Sequence, residues 1–426
     1  MNSFVPSCKF KRFFRTEDGQ VLLLTSVAVG VLLVMAGLGV DAGFLRYQHQ
    51  QMQKAADAAA LAASDAWVYS NNYVAAGRND AAANGFTDGS NSISVQILVP
   101  PTDGPWAGNG SFVEAIVSQP QPAFFMKVGG WSTVPVSARA YAAKASSPGC
   151  IFALDPAQPR TYDAGGSGTV QSQCGILDNS GDPGGYYDGG SACTYATSIS
   201  VVGGGATACG TTPSTGASHF TDPLNYLAEP AVGQAPKDCL NSPPSQKTHI
   251  TSGQNVTLNA GMYCAGIQID GGATVTFAPS GTSNVFVLYG GGLTVNSGAT
   301  LTGSGVMFYN TGETSGKYGY GNIVINGVSN STLSAPTSGT YAGILFFGDR
   351  SLPAQSDNIT GGSGTNINGA IYLPNDYLSW AGNSASSLYT ILVADTITVT
   401  GASYVGDNYQ NLPGGLSPIQ VGALTD

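Results

Sequence analysis

The sequence predicts a mainly β protein: an N-terminal transmembrane α-helix, a short α/β stalk region, then a right-handed parallel β-helix, or solenoid. Three observations predict it. A 20-residue apolar run occupies residues 21–40 behind a basic segment. Helical patterning ends near Cys150, where short β-branched runs between glycines take over. An internal repeat then recurs at an offset of 26 residues.

The first 20 residues carry Lys9, Lys11, Arg12 and Arg15 against Glu17 and Asp18, so 4 − 2 gives a net +2. The apolar run that follows has Thr25 and Ser26 as its only hydroxyl side chains and no charge. As a helix it would span about 30 Å, the hydrocarbon thickness of a bilayer. The preceding basic residues place the N-terminus in the cytoplasm and the rest of the chain outside, with the lipid bilayer as first partner. A cleaved signal peptide is the alternative. The run is longer than a usual signal core, and no A-x-A site follows before a strongly helical stretch. The division expected is therefore 1–20 cytoplasmic, 21–42 transmembrane helix, 43–67 extramembrane helix, 68–149 small α/β region and 150–426 Gly-rich β domain.

Residues 43–67 lack Pro and are rich in helix formers, so the helix should continue past the membrane. Leu45, Met52, Ala59 and Ala66 recur every seven residues, as do Gln48, Ala55 and Ala62. An Ala-lined seam allows close approach of a second helix, as in a filament. It equally suits packing on the chain's own next domain. Gly39 and Gly43 form one GxxxG at the membrane edge.

Residues 18–64 resemble the N-terminal segment of TadG-like proteins of the tight-adherence (Flp) pilus system. The resemblance rests on a Gly just before the apolar run, the Gly-x-Val-Asp-x-Gly at its end, and the block QKAADAAALAA. Residues 113–143, with QPAFFMKVGG ahead of STVPVSARAYA, are similar to the short α/β piece that follows in that family. Pilins of this broader class are trimmed after a Gly and carry a Glu five residues on. Counting from Gly19, that position is Leu24, so the helix reads as a permanent anchor. Some members carry a von Willebrand A domain with an Asp-x-Ser-x-Ser metal motif. The nearest match, Asp178, Ser180 and Asp182, has Asp for the second Ser and lacks the alternating helices of that domain.

Beyond Cys150 the strand candidates are 256–258, 285–289, 306–309, 343–347, 370–373 and 390–394. The repeat aligns GIQIDGGATVTF at residue 266 with GLTVNSGATLTG at residue 292, and NIVING resumes at residue 322. It pairs Ile267 with Leu293, Ile269 with Val295 and Val275 with Leu301. A period of this size, without helices, is the mark of a solenoid. A sandwich or barrel, the rival, would show hairpin turns every 8–12 residues. Residues 150–205 should supply the first coils, with 182–193 and 207–246 as excursions from one face.

Composition narrows the function. Residues 150–426 hold 5 basic and 16 acidic side chains, net −11, which argues against nucleic acid as a partner. Cys150, Cys174, Cys193, Cys209, Cys239 and Cys264 follow the apolar run and fit disulfides in 15 connectivities, with Cys8 before it. A metal site would want CxxC spacing or more His. Glycoside cleavage needs a paired acid and base. Asp270, Asp349, Asp376 and Asp395 are candidates, Lys317 and Arg350 the only bases beyond residue 250, and His219 and His249 lie around a Pro-rich stretch without a nucleophile-elbow motif. Isolated acids at coil corners read as turn residues. Tyr162, Tyr186, Tyr187, Tyr289, Tyr318, Tyr320, Tyr372, Tyr377, Trp380 and Tyr404 could stack on sugars or pack beneath loops.

No catalytic residue, cofactor or metal is assigned. The resemblance implies a non-enzymatic component of pilus assembly or surface attachment. Its helix would meet pilus-assembly or filament proteins, and its β-helix would form a binding platform, with surface glycans as a candidate ligand. The alternatives are a membrane-tethered carbohydrate-active enzyme and a structural envelope spacer.

Overall fold

The computed structural model describes residues 18–68, 72–207, 209–217, 219–232, 239, 246–328, 330–362, 364–382 and 388–425. Lys9, Lys11, Arg12, Arg15, Glu17 and Cys8 lie outside them. The chain divides into two compact units, Met1–Lys144 with Gly422–Asp426, and Ala145–Val421.

In the first unit one uninterrupted helix, α1 (Asp18–Val68), contains both the apolar run and the Ala-rich segment. A shorter α2 (Tyr73–Ala83) is capped by Asn72, whose side chain accepts the Ala75 N–H. Three antiparallel strands follow, β1 (Ser94–Leu98), β2 (Phe112–Pro122) and β3 (Thr133–Ser146), and the C-terminal strand Gln420–Thr425 joins the sheet next to β3. Period-2 alternation puts Val113, Ala115 and Val117 of β2 in the core. Opposite them on α1, Met52, Ala55, Ala56, Ala59, Ala60 and Ala63 are fully buried in the same cluster. The small-residue seam therefore serves close packing of the helix within its own unit. That decides between the two readings of the heptad pattern for Met52, Ala55 and Ala59; Leu45, Gln48, Ala62 and Ala66 are half-buried.

The second unit is built from short strands, and every described strand pairing within it is parallel. The hairpins of a sandwich are not found among them. All six strand candidates of the sequence fall on strands, with 306–309 and 343–347 each beginning one residue early. Successive triplets pair strand for strand. Ile267–Ile269, Thr274–Ala278 and Val285–Tyr289 lie beside Leu293–Val295, Thr300–Ser304 and Met307–Thr311. The 26-residue repeat is this register: Ile267 faces Leu293, Ile269 faces Val295 and Val275 faces Leu301, all fully buried. An aromatic column runs through the same interior. Phe286, Phe308 and Phe346 are in register, with ring centroids 5.2 and 5.1 Å apart. Neighbouring rings of this kind bury large apolar area and add a directional preference.

Tight corners separate the strands. At Gly292, φ is +61° and an added Cβ would sit 2.0 Å from the Asn322 carbonyl oxygen of the next triplet. Only glycine allows both the left-handed backbone and that approach.

The order of stacking departs from the order of the chain. From Thr248–Ile250 the triplets advance to Thr390–Thr400 and Ser403–Val405. There Thr390–Thr400 pairs with Gly149–Ala153 and Tyr162–Gly165, and Ser403–Val405 pairs with Thr169–Ser172. The segment expected to supply the first coils thus lies beyond the last ones, and the stack ends at Ser214–Thr215. The chain enters mid-stack, builds one end, crosses to the other, and winds back to where it entered. Residues 182–193 are also not an excursion. They contain Tyr186–Asp188, which pairs on both sides, with the Tyr186 ring stacked 4.9 Å from Tyr162. Burying two aromatic faces in register explains the strand, which the surrounding glycines conceal in the sequence.

Candidate functional site

Two features stand out, one in each unit. In the first, α1 contains a stretch long and apolar enough to cross a membrane, and its residues from Val21 to Val40 are largely exposed. Gly39 and Gly43 have nothing within 4 Å of where a Cβ would lie. Just past this stretch, the buried Asp41 accepts backbone N–H bonds from Phe124, Phe125 and Met126 at 3.0, 2.9 and 2.7 Å. Sequence reasoning took Asp41 only as part of a motif. At the far end of the sheet, Glu114, with no side-chain exposure, pairs with Arg139 at 2.9 Å and accepts bonds from the Thr102 amide and hydroxyl. A buried carboxylate needs such partners, and these pin the 99–111 loop to β2.

In the second unit, residues 219–232 and Cys239 form a strap across successive triplets. Phe220 meets Phe152 edge-on, and its N–H donates to Asn179. Farther along, Arg350 donates from Nη2 to the Leu224 carbonyl, from Nη1 to the Leu227 carbonyl and from Nε to the Tyr372 hydroxyl. Tyr372 in turn donates to Asp222. The Arg350 N–H donates to Glu229, and Tyr341 donates to the Ala228 carbonyl. At the end of the strap, Cys239 is bonded to Cys264 and its carbonyl accepts from Tyr318. The other bridges are Cys150–Cys174 and Cys193–Cys209.

The acids singled out in the sequence fall into different settings. Asp349 accepts from Thr311, Tyr309, and the amide and hydroxyl of Ser351, bonds that together hold its carboxyl below the usual range despite burial. Asp376 accepts from Tyr320 and from the Gln355 N–H, both at 2.7 Å. Beside it lies Asp357, whose carboxyl is pushed well up by burial and by the Asp376 charge. Burial lifts Asp395 to about 6, helped by Asp155 and Asp376. Asp270 is at the surface, paired with His249 at 2.9 Å and held below its ordinary value by that bond. His219 meets the Asn179 amide oxygen at 3.1 Å. Lys317 lies over the Tyr318 ring.

Asp349 and Arg350 therefore come together with Asp222, Glu229, Tyr309 and Tyr372, a cluster invisible in the sequence because its members span residues 222–372. Its hydrogen bonds point at the strap and at neighbouring strands. Asp178, Ser180 and Asp182 form a backbone turn, in which Asp178 accepts from the Ser180 and Tyr162 amides and Asp182 accepts from the Gly184 amide. Among the described residues no group of three His, Cys, Asp or Glu side chains could hold a metal ion. Of the aromatic set, Tyr162, Tyr186, Tyr289, Tyr318, Tyr320, Tyr372 and Trp380 are buried, whereas Tyr377 is exposed and Tyr187 and Tyr404 are half-buried. These rings pack the core more than they line a surface.

The architecture defines a class of protein: a long helix suited to membrane anchoring, its own small α/β unit, and a large unit of stacked parallel strands. Residues 19–77 match the model of the putative Flp pilus-assembly TadE/G-like family, so the chain carries a TadE/G-like segment over α1 and the start of α2. No curated protein and no solved structure matches the chain.

Proposed function

We propose that this chain is a membrane-anchored component of tight-adherence (Flp) pilus assembly or surface attachment, displaying a right-handed parallel β-helix outside the cytoplasm as a binding platform. The observation that carries this reading is the TadE/G-like match at residues 19–77. The N-terminal basic residues support an inside N-terminus. Three strands per repeat, parallel pairing and a shared register support closure of the second unit into a β-helix. Three disulfides suit an oxidising compartment. The platform is non-enzymatic: Arg350 is engaged in holding the strap, Asp349 is taken up by Thr311, Tyr309 and Ser351, and Asp357 and Asp376 are buried. Its partners are pilus-assembly or filament proteins, with surface glycans as the ligand class for the exposed loops.

Fractionation of cells making a C-terminally tagged chain, with protease added to intact cells and to spheroplasts, tests the proposal. Degradation only in spheroplasts would make the β unit periplasmic. Degradation on intact cells, with tag in sheared filaments, would place it at the surface. A soluble cytoplasmic tag would overturn the reading.

A further inference from the structure

The loop between β2 and β3 exposes side chains that a soluble domain would bury. Phe124, Phe125, Val128 and Trp131 are 52%, 49%, 92% and 64% exposed. Across residues 123–131 the only charge is Lys127. Single exposed apolar residues are ordinary, but four within eight positions form a patch that calls for a partner.

The loop is held in place. Asp41 gathers three consecutive N–H groups at its start, and Phe44 of α1 meets Phe124 edge-on with centroids 5.3 Å apart. Phe125 packs against Gly37, where an added Cβ would come within 2.5 Å of the ring. These contacts draw the loop alongside the apolar part of α1. Together with Leu33, Val34 and Leu38, the residues Phe125, Val128 and Trp131 line an open apolar trough of about 580 Å³. Leu38 and Leu33 precede Asp41 by three and eight residues, so the trough reaches roughly 5 to 12 Å back along the helix axis. Residues 21–40 are barely long enough to cross the hydrocarbon, so that stretch of helix must lie within the leaflet at the Asp41 end.

We infer that residues 123–131 are a second membrane-inserted element, a wedge that enters the same leaflet as the end of α1 and takes a lipid acyl chain into the trough. The inference rests on the anchoring reading of α1. Trp131 has the amphipathic ring favoured at the headgroup boundary, and the Lys127 ammonium can reach lipid phosphates from its long apolar stem. A helix gripped by one anchor is free to tilt and rotate, whereas a wedge fixed to it at Asp41 and Gly37 sets both. The first unit would then stand on the membrane at a defined angle.

The test uses the full chain in phosphatidylcholine–phosphatidylglycerol liposomes, with p-benzoylphenylalanine placed singly at Leu33, Val128 or Asn109. Asn109 is exposed and lies at the opposite end of β2 from the loop. Irradiation should add the mass of one phospholipid at Leu33 and Val128 and none at Asn109. Asp41→Asn should lower the Val128 yield several-fold and leave Leu33 unchanged. Lipid adducts at Leu33 without any at Val128 would overturn the wedge and leave the anchor standing. No adduct at either would overturn the anchor itself. Equal labelling at Asn109 would mean insertion without specificity and would overturn the wedge. So would Val128 adducts, in cells, confined to another protein chain.

Discussion

The two units hide apolar surface in opposite ways. In the first, a pre-existing helix donates one face to a small sheet, and close packing depends on the size of single residues: Ala55, Ala59 and Ala63 are fully buried, while the same helix leaves residues 21–40 largely exposed. In the second, no element is stable alone. Strands mostly of two to six residues become a core only when neighbours in the stack cover them. Disturbance of a helix face should therefore stay local, and disturbance of a triplet should spread to the triplets on either side.

The largest effect should come from Gly292→Val, which breaks this contrast most directly. A branched Cβ would meet the Asn322 carbonyl at a backbone angle that Val rarely adopts. The expected loss is above about 3 kcal/mol. Limited proteolysis should then cut within 248–328 while α1 and its sheet stay protected; intact triplets would refute the stacking account. Next in size, Arg350→Ala should strip two side-chain hydrogen bonds from the strap, leaving the Leu224 and Leu227 carbonyls without that partner, and a third from the Tyr372 hydroxyl. A cost of about 3 kcal/mol is expected, read as faster amide exchange at 219–232 with the strand Ile344–Gly348 still slow. Equal acceleration in both would make the strap part of the core.

A smaller, pH-dependent effect sharpens the comparison from the electrostatic side. Burial lifts the carboxyls of Asp178 and Asp395 to about 6. A carboxyl with a folded pKa above its unfolded value near 4 holds more protons folded than unfolded. The stability it supplies is full below about pH 4 and is lost as pH rises to about 6. The melting temperature of the second unit should fall across that window. Asp395→Asn should flatten the fall and add about 1 kcal/mol at pH 7, a figure reduced because the side chain is only half-buried. A melting temperature independent of pH would show these acids to be fully solvated.

Much of the architecture was legible before folding. The anchor helix is written in the charge-free run, because length and apolarity alone decide whether a helix suits a bilayer. The strand registers around Ile267, Leu293 and Val275 are written in the repeat, because triplets of equal length place equivalent residues side by side. Legibility stopped where triplets became unequal. Tyr186–Asp188, lying among glycines and outside the repeat, read as an excursion.

What the sequence by itself determined is therefore local: the helix, the strand positions, and the corners where glycine is required. Only the tertiary structure decided which face of α1 is buried, which cysteines pair, and that residues 149–215 stack beyond Ser403–Val405 while 219–232 and Cys239 form a strap. The reason is physical. A parallel strand offers the same backbone groups to any neighbour, so its own residues do not name its partner. Asp41 and Arg350 likewise acquire their roles from groups 83 to 126 residues away.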